Sequence, residues 1–300
     1  MPDSSVSQRP PLAPPPHLAP VPPAYVVDGM PVHPALPYAA LPGARPLELD
    51  LYRPLGDDAA PVIAFLHGGG WRVGSRRLVG TAATADLVRP FLEAGLAVAA
   101  VDYRLSGEAT WPAQRDDVST AIAWLRGRAG ELGLDPTRVG VWGESAGAHL
   151  AATAGLLGTG SAAVSAVVGW YPPTDLAAIP PVLGTDPDAT DSREALLIGG
   201  SLTARPDLAR DASPVTHVRA GAPPYLLLHG EADTFVPCDQ SRRLAAALGE
   251  VGAEVELHTY PGAEHMWLGG PEVAQDAVQR TLAFFSRHLA DGAAQVDLRS

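Results

Sequence analysis

Three observations in the 300-residue chain predict an α/β fold with a mostly parallel central sheet and helices on both faces. Short, wholly apolar runs recur along it, as strands covered on both sides require. Between them lie stretches with apolar residues at i, i+4 and i+7, the period of a helix with one buried face. The third observation is a junction. From Val139 to Ala151 the text passes from β-branched apolar residues through Gly143-Glu144-Ser145-Ala146-Gly147 into Ala- and Leu-rich sequence. That is a strand turning sharply into a helix. Alternation of the two periods over about 250 residues argues one domain rather than two.

Taken in order, residues 1–24 are dominated by proline, which removes backbone donors and fixes φ, so neither helix nor sheet is expected. They read as a disordered tail outside the chemistry, the sharper alternative being a docking peptide for a proline-reading partner. Residues 25–300 form the single domain. Its first strand is Arg45 to Pro54, alternating apolar and polar as a half-exposed strand does. Pro61 to His67 and Leu96 to Tyr103 are continuous apolar runs, followed by the strand entering the serine turn. Ala166 to Tyr171, Tyr225 to Gly230 and Glu254 to Tyr260 complete the set. Helical periods fall at Val118/Ile122/Leu125, at Leu244/Leu248/Val251 and at Val278/Leu282/Phe285/Leu289. Pro172 to Pro224 breaks the alternation, being rich in Pro, Gly and Asp with one weak helical patch at Arg193 to Leu197. An irregular insertion of this length over the strand ends is expected to wall a pocket or partly cover it.

Composition narrows the chemistry. A formal net charge of −12 disfavours nucleic acid and anionic membrane as partners. All 21 basic residues are arginine, which excludes Schiff-base and pyridoxal phosphate mechanisms. Cys238 is the only cysteine, so no internal disulfide forms, and with no apolar run of membrane-spanning length a cytoplasmic protein is expected. His and Asp residues lack metal-ligand spacing, so no metal and no cofactor is expected. Oligomeric state is not legible.

The G-x-S-x-G turn holds Ser145 clear of the strand end, although a serine there can also simply cap the helix. A nucleophilic serine needs a base, an acid and oxyanion donors. On this architecture the order is serine, acid, histidine. Of the histidines after the Gly230 strand, His258 lies in a strand and His288 in a helix, leaving His265 in the loop Y-P-G-A-E-H-M-W as the base. Asp233, past the end of that strand, is a better acid than Glu231, which should face solvent; its alternative is a helix cap. The loop His67-Gly68-Gly69-Gly70-Trp71 follows the first long apolar strand, where inward-turned amides need glycine. Gly69 and Gly70 with Ala146 are the expected oxyanion donors, Gly68 a substitute. A nucleotide-binding reading of this loop lacks both G-x-G-x-x-G and a lysine. His67 is expected to hold the loop, and His149 and Cys238 to pack. Trp71, Tyr171 and Trp267 lie beside strand ends or motif loops and are the pocket-lining candidates, with core packing as the alternative.

With these residues in place, the chain resembles the α/β-hydrolase superfamily. More narrowly it resembles the esterase group spanning hormone-sensitive-lipase-like and acetyl-xylan/feruloyl-esterase-like enzymes. The resemblance rests on H-G-G-G-W, on V-D-Y-R-L with W-P-A-Q-R-D-D-V, and on D-P-T-R-V-G-V-W-G-E-S-A-G-A-H-L-A. It continues through S-P-V-T-H-V, P-P-Y-L-L-L-H-G-E-A-D-T-F-V-P and P-G-A-E-H, in that order, over roughly residues 45–290. It implies a cofactor-free serine hydrolase acting on carboxylic esters, with Ser145, Asp233 and His265 as triad. The same motifs serve arylformamide hydrolases and some peptidases. A non-catalytic ligand-binding homologue is the alternative of another class.

Overall fold

The computed structural model describes residues 15–77 and 82–290. Their strands are β1 (Tyr25–Val27), β2 (Met30–Ala39), β3 (Leu47–Tyr52), β4 (Ala60–Leu66), β5 (Ala97–Val101), β6 (Leu134–Glu144), β7 (Ala166–Trp170), β8 (Tyr225–Gly230) and β9 (Val255–Tyr260). They form one sheet in the order β1-β2-β3-β5-β4-β6-β7-β8-β9. The pairs β1/β2, β2/β3 and β3/β5 are antiparallel. From β5 through β9 every pair is parallel.

Alternate residues of the central strands feed two separate cores. Val62, Ala64 and Leu66 of β4 face one side, with α2 (Ala113–Gly127), α4 (Ala146–Leu157) and α8 (Asp239–Glu250) packed over them. Ile63 and Phe65 face the other, covered by α1 (Ala82–Glu93) and α9 (Pro271–His288). The period of two in a strand puts neighbours on opposite faces, so an all-apolar β4 is what a doubly covered sheet demands. A short helix, α3 (Ala129–Leu132), leads into β6.

Two regions differ from expectation. The insertion is not irregular: it holds α5 (Ile179–Leu183), α6 (Arg193–Ile198) and α7 (Pro206–Asp211). Ser192 caps α6 by accepting the Ala195 amide, and Gly184 and Gly199 end α5 and α6 in the left-handed conformation. The second difference is the expected tail. Residues 1–14 of it lie outside the described residues, but from residue 15 the chain runs against the domain. The His17 carbonyl accepts Trp124 Nε1 (3.0 Å) and Arg128 Nη1 (3.2 Å), and the Ala19 carbonyl accepts Arg128 Nη2 (2.7 Å). Proline removes donors and leaves carbonyls free, so this segment binds largely as an acceptor, the Val21 amide donating to Glu131 being an exception. Val21 packs on the core beside it.

Parallel pairing has one consequence for chemistry: the C-terminal ends of β4, β6, β8 and β9 share one edge of the sheet. Leu66 is level with Gly143, and Gly230 with Tyr260. The loops carrying the glycine motif, the serine, the aspartate and the histidine all leave from that edge.

Candidate active site

Ser145 sits between β6 and α4 with φ 51° and ψ −115°, a region that side chains other than glycine rarely adopt. Its neighbours show why the flanking positions are glycine. A Cβ on Gly143 would stand 2.2 Å from the Gly147 carbonyl carbon, and one on Gly147 would stand 2.0 Å from the Leu66 carbonyl oxygen. Strand and helix therefore converge at backbone distance, and the serine is levered out at the bend. Its amide donates to Trp170 O at 2.9 Å, and its carbonyl accepts the His149 amide at 3.0 Å.

The structure brings all three residues of the expected triad together. His265 Nε2 lies 3.1 Å from Ser145 Oγ, and His265 Nδ1 lies 2.6 Å from Asp233 Oδ2. A carboxylate can only accept, so Nδ1 carries the proton and Nε2 is free to accept from the serine hydroxyl. Burial opposes the charge on Asp233. Hydrogen bonds from His229 and His265, together with the Val236 amide, outweigh it and hold the carboxyl well below its usual range. Its Oδ1 also accepts the Phe235 amide (2.9 Å) alongside that of Val236 (2.8 Å). Glu231 is exposed and ion-paired to Arg242, away from the relay.

His229 was missed by sequence reasoning. It is fully buried near the end of β8, with Nε2 3.3 Å from Asp233 Oδ2 and Nδ1 2.7 Å from Ser241 Oγ. The only signal was a histidine inside an otherwise apolar strand, one position before its final glycine.

The glycine loop is anchored as expected by His67, whose Nδ1–H donates to Gly68 O at 2.7 Å and whose ring stacks on Tyr103 at 4.3 Å. Burial lowers the His67 pKa, keeping it neutral. Beyond the loop, buried Arg76 pairs with Asp50 and Asp102, which fastens the segment to β3 and the end of β5. A Cβ on Gly68 would be 3.6 Å from Ser145 Cβ, so the loop lies directly against the serine. Gly69 and Gly70 have φ 113° and 60°. The amides of Gly69, Gly70 and Ala146 have no acceptor among the described residues.

The three pocket candidates sit differently from one another. Trp71 is 2% exposed and donates Nε1 to His149 Nδ1 at 3.2 Å, a core contact. His149 Nε2 donates in turn to Ala212 O, and burial pushes its pKa down to about 4. Trp267 is 5% exposed and packs on Trp170, Tyr171 and Tyr260. Both indoles are buried among core residues, the alternative to pocket lining given for them above. Tyr171 is also buried, but its ring centre lies 4.5 Å from that of His265. Its hydroxyl bonds the Glu144 carboxyl, which burial pushes up to about 7 despite that bond. The apolar groups that remain exposed around the site are Phe235, Met266, Leu268 and Val73.

Among the described residues, the one cluster with metal-ligand proximity is Glu254, Glu256 and His288, near the start of β9, whereas His265 follows its end, and it is largely exposed. No helix there is long and apolar enough to cross a membrane.

Comparison with known proteins agrees with this geometry. The chain is 35% identical to Esterase LipC of Mycobacterium tuberculosis over 221 residues, 69% of this chain and 53% of LipC. It thus spans about half the length of that relative. Among solved structures it is similar to a truncated form of a carbohydrate esterase from gut microbiota, at 28% identity and a TM-score of 0.75, covering 87% of this chain and 96% of that one. Thermogutta terrifontis esterase 2 phosphonylated by cyclosarin superposes with a TM-score of 0.69 at 26% identity, covering 85% and 95%. The fold is that of the α/β-hydrolases. Since the BD-FAE family model matches residues 49–248, two thirds of the chain and the stretch that carries the glycine loop, Ser145 and Asp233, the chain belongs to the BD-FAE family.

Proposed function

We propose that the protein is a serine carboxylesterase that hydrolyses short-chain carboxylic esters through an acyl-enzyme intermediate. The observation that carries this reading is the unbroken Asp233–His265–Ser145 relay, with separations of 2.6 and 3.1 Å. Ser145 Oγ attacks the acyl carbonyl while His265 Nε2 takes its proton, and Asp233, held charged, stabilises the imidazolium that forms. The imidazolium gives that proton to the leaving alkoxide. Water, deprotonated by the same nitrogen, then attacks the acyl-serine and releases the acid. The Gly69, Gly70 and Ala146 amides are the proposed donors to the tetrahedral oxyanion, each worth about 3 to 4 kcal/mol in the transition state. Esterase names among relatives support the bond type. A phosphonylated structural neighbour supports attack by an activated hydroxyl.

The test has two parts. A fluorophosphonate probe should label the wild type and not Ser145→Ala, and Ser145→Ala and His265→Ala should each lose nearly all turnover. Because the two act in one step, the double variant should be little worse than either alone. A p-nitrophenyl ester series should then peak between acetate and butyrate. A maximum at octanoate or longer would overturn the short-chain reading. Preference for an aryl formamide over every ester would move the activity to arylformamide hydrolysis, and failure to label would leave a ligand-binding homologue. A reducing, cytoplasmic setting rests on the single free Cys238 alone, and cell fractionation tests it.

A further inference from the structure

Arg193 is the first residue of α6, in the insertion over the strand ends. Its aliphatic stem lies on the glycine loop: a Cβ on Gly70 would stand 2.8 Å from Arg193 Cδ and 3.2 Å from its Cγ. The guanidinium then reaches the loop that carries the acid. There its Nη2 donates to Phe235 O at 3.1 Å, and its central carbon stands 5.8 Å from the centre of the Phe235 ring. That ring lies 5.5 Å from the ring of His265. One arginine thus bridges the proposed oxyanion loop and the proposed acid loop, and the Phe235 ring stands near both its guanidinium and the base.

What the charge does not do is equally informative. Arg76 and Arg104, both near the glycine loop, are locked to aspartates. Arg193 has no carboxylate within ion-pairing distance among the described residues, in a chain of formal net charge −12. A guanidinium offers five N–H donors in a planar fork shaped for a carboxylate. One bond to a carbonyl and one aromatic contact hold the arm in place without neutralising it, and Phe235 beside it is half exposed. A strap serving only to close the loops would not need to keep a charge unpaired.

We propose that Arg193 is an anion-reading arm, and that the preferred substrates are esters bearing a second, carboxylate group a few atoms from the scissile carbonyl. The proposal rests on the esterase reading above. A fixed cation at the mouth attracts such a substrate, and the fork orients it for Ser145.

Two matched pairs test it by pH-stat titration. Monomethyl succinate against methyl butyrate places the carboxylate on the acyl side. 4-Acetoxybenzoate against 4-methylphenyl acetate places it on the alcohol side. In at least one pair the wild type should favour the anionic member by tenfold or more in kcat/KM, and added NaCl should erode the preference. Arg193→Gln should cut that ratio at least tenfold, chiefly through KM, whereas Arg193→Lys should retain part of it. Ratios near one in both pairs for the wild type would overturn the proposal, whether or not the variants fold. So would an equal loss on both members of each pair in a variant of unchanged melting temperature, the signature of a plain strap. Hydrolysis of the neutral members with labelling of Ser145 keeps the esterase reading intact in either case. If none of the four esters is cleaved and Ser145 resists the probe, that reading falls and this one with it.

Discussion

His149 stands one helical turn beyond Ser145, wholly buried, donating from Nε2 to Ala212 O and accepting from Trp71 at Nδ1. Both nitrogens are used only in the neutral ring, and burial lowers its pKa to about 4. In the unfolded chain it protonates near 6.5, so as pH falls below that value the unfolded state gains a proton first. The stability it lends is full above pH 6.5 and is lost as pH falls through 4, a swing of about 3 kcal/mol. His149→Gln cannot titrate. The wild type's advantage over it should therefore be largest near pH 7.5 and shrink by about that amount at pH 4, as denaturant titration at the two values can measure. At this scale the triad was legible, because motif order and strand ends leave few candidates for each role. His229 was not, since a histidine in an apolar strand has no pattern that marks it as a partner of Asp233. For the two indoles the sequence left packing and pocket lining both open. Trp71 and Trp267 have φ of 56° and 57°, and a left-handed backbone turns a side chain away from where its neighbours in sequence point.

The elbow shows how far one element's geometry depends on absent atoms. Gly143→Ala and Gly147→Ala each drive a methyl into backbone that cannot step aside. Each should cost about 3 kcal/mol or more and displace Ser145, visible as a lower melting temperature together with lost probe labelling. Gly130→Ala, in α3 with nothing within 4 Å, is the control and should stabilise by up to about 1 kcal/mol. The seven parallel or half-exposed strands were readable from their apolar runs, but β1 and β2 were not. β2 contains Pro31, Pro34 and Pro37, which argue against a strand. It tolerates Pro34 and Pro37 because β1 covers only Met30 to Val32, so beyond that point its outer side has no ladder to break, and its pairing with β3 shifts register twice. Helices α5 and α7 escaped notice, and α6 showed only as a weak patch, because five or six residues are too few to display a 3.6-residue period.

For the molecule as a whole, the segment from residue 15 onward is part of the folded body rather than an appendage. Deleting residues 1–24 uncovers Trp124 Nε1 and Arg128, which now donate to His17 and Ala19, and strips Val21 from the core. The melting temperature should drop by about 3 to 6 °C, with activity at 25 °C retained, as calorimetry and an ester assay can show. Composition had suggested the reverse, because proline-rich text advertises missing donors and says nothing of the carbonyls it leaves for others. The relay itself joins positions 120 residues apart, Ser145 to His265, and its acid and base come from the last two strands to be made. A nascent chain therefore lacks the relay until His265 has emerged, and a product cut short before that position should not hydrolyse esters. Ester hydrolysis should thus count only those molecules whose synthesis has passed His265.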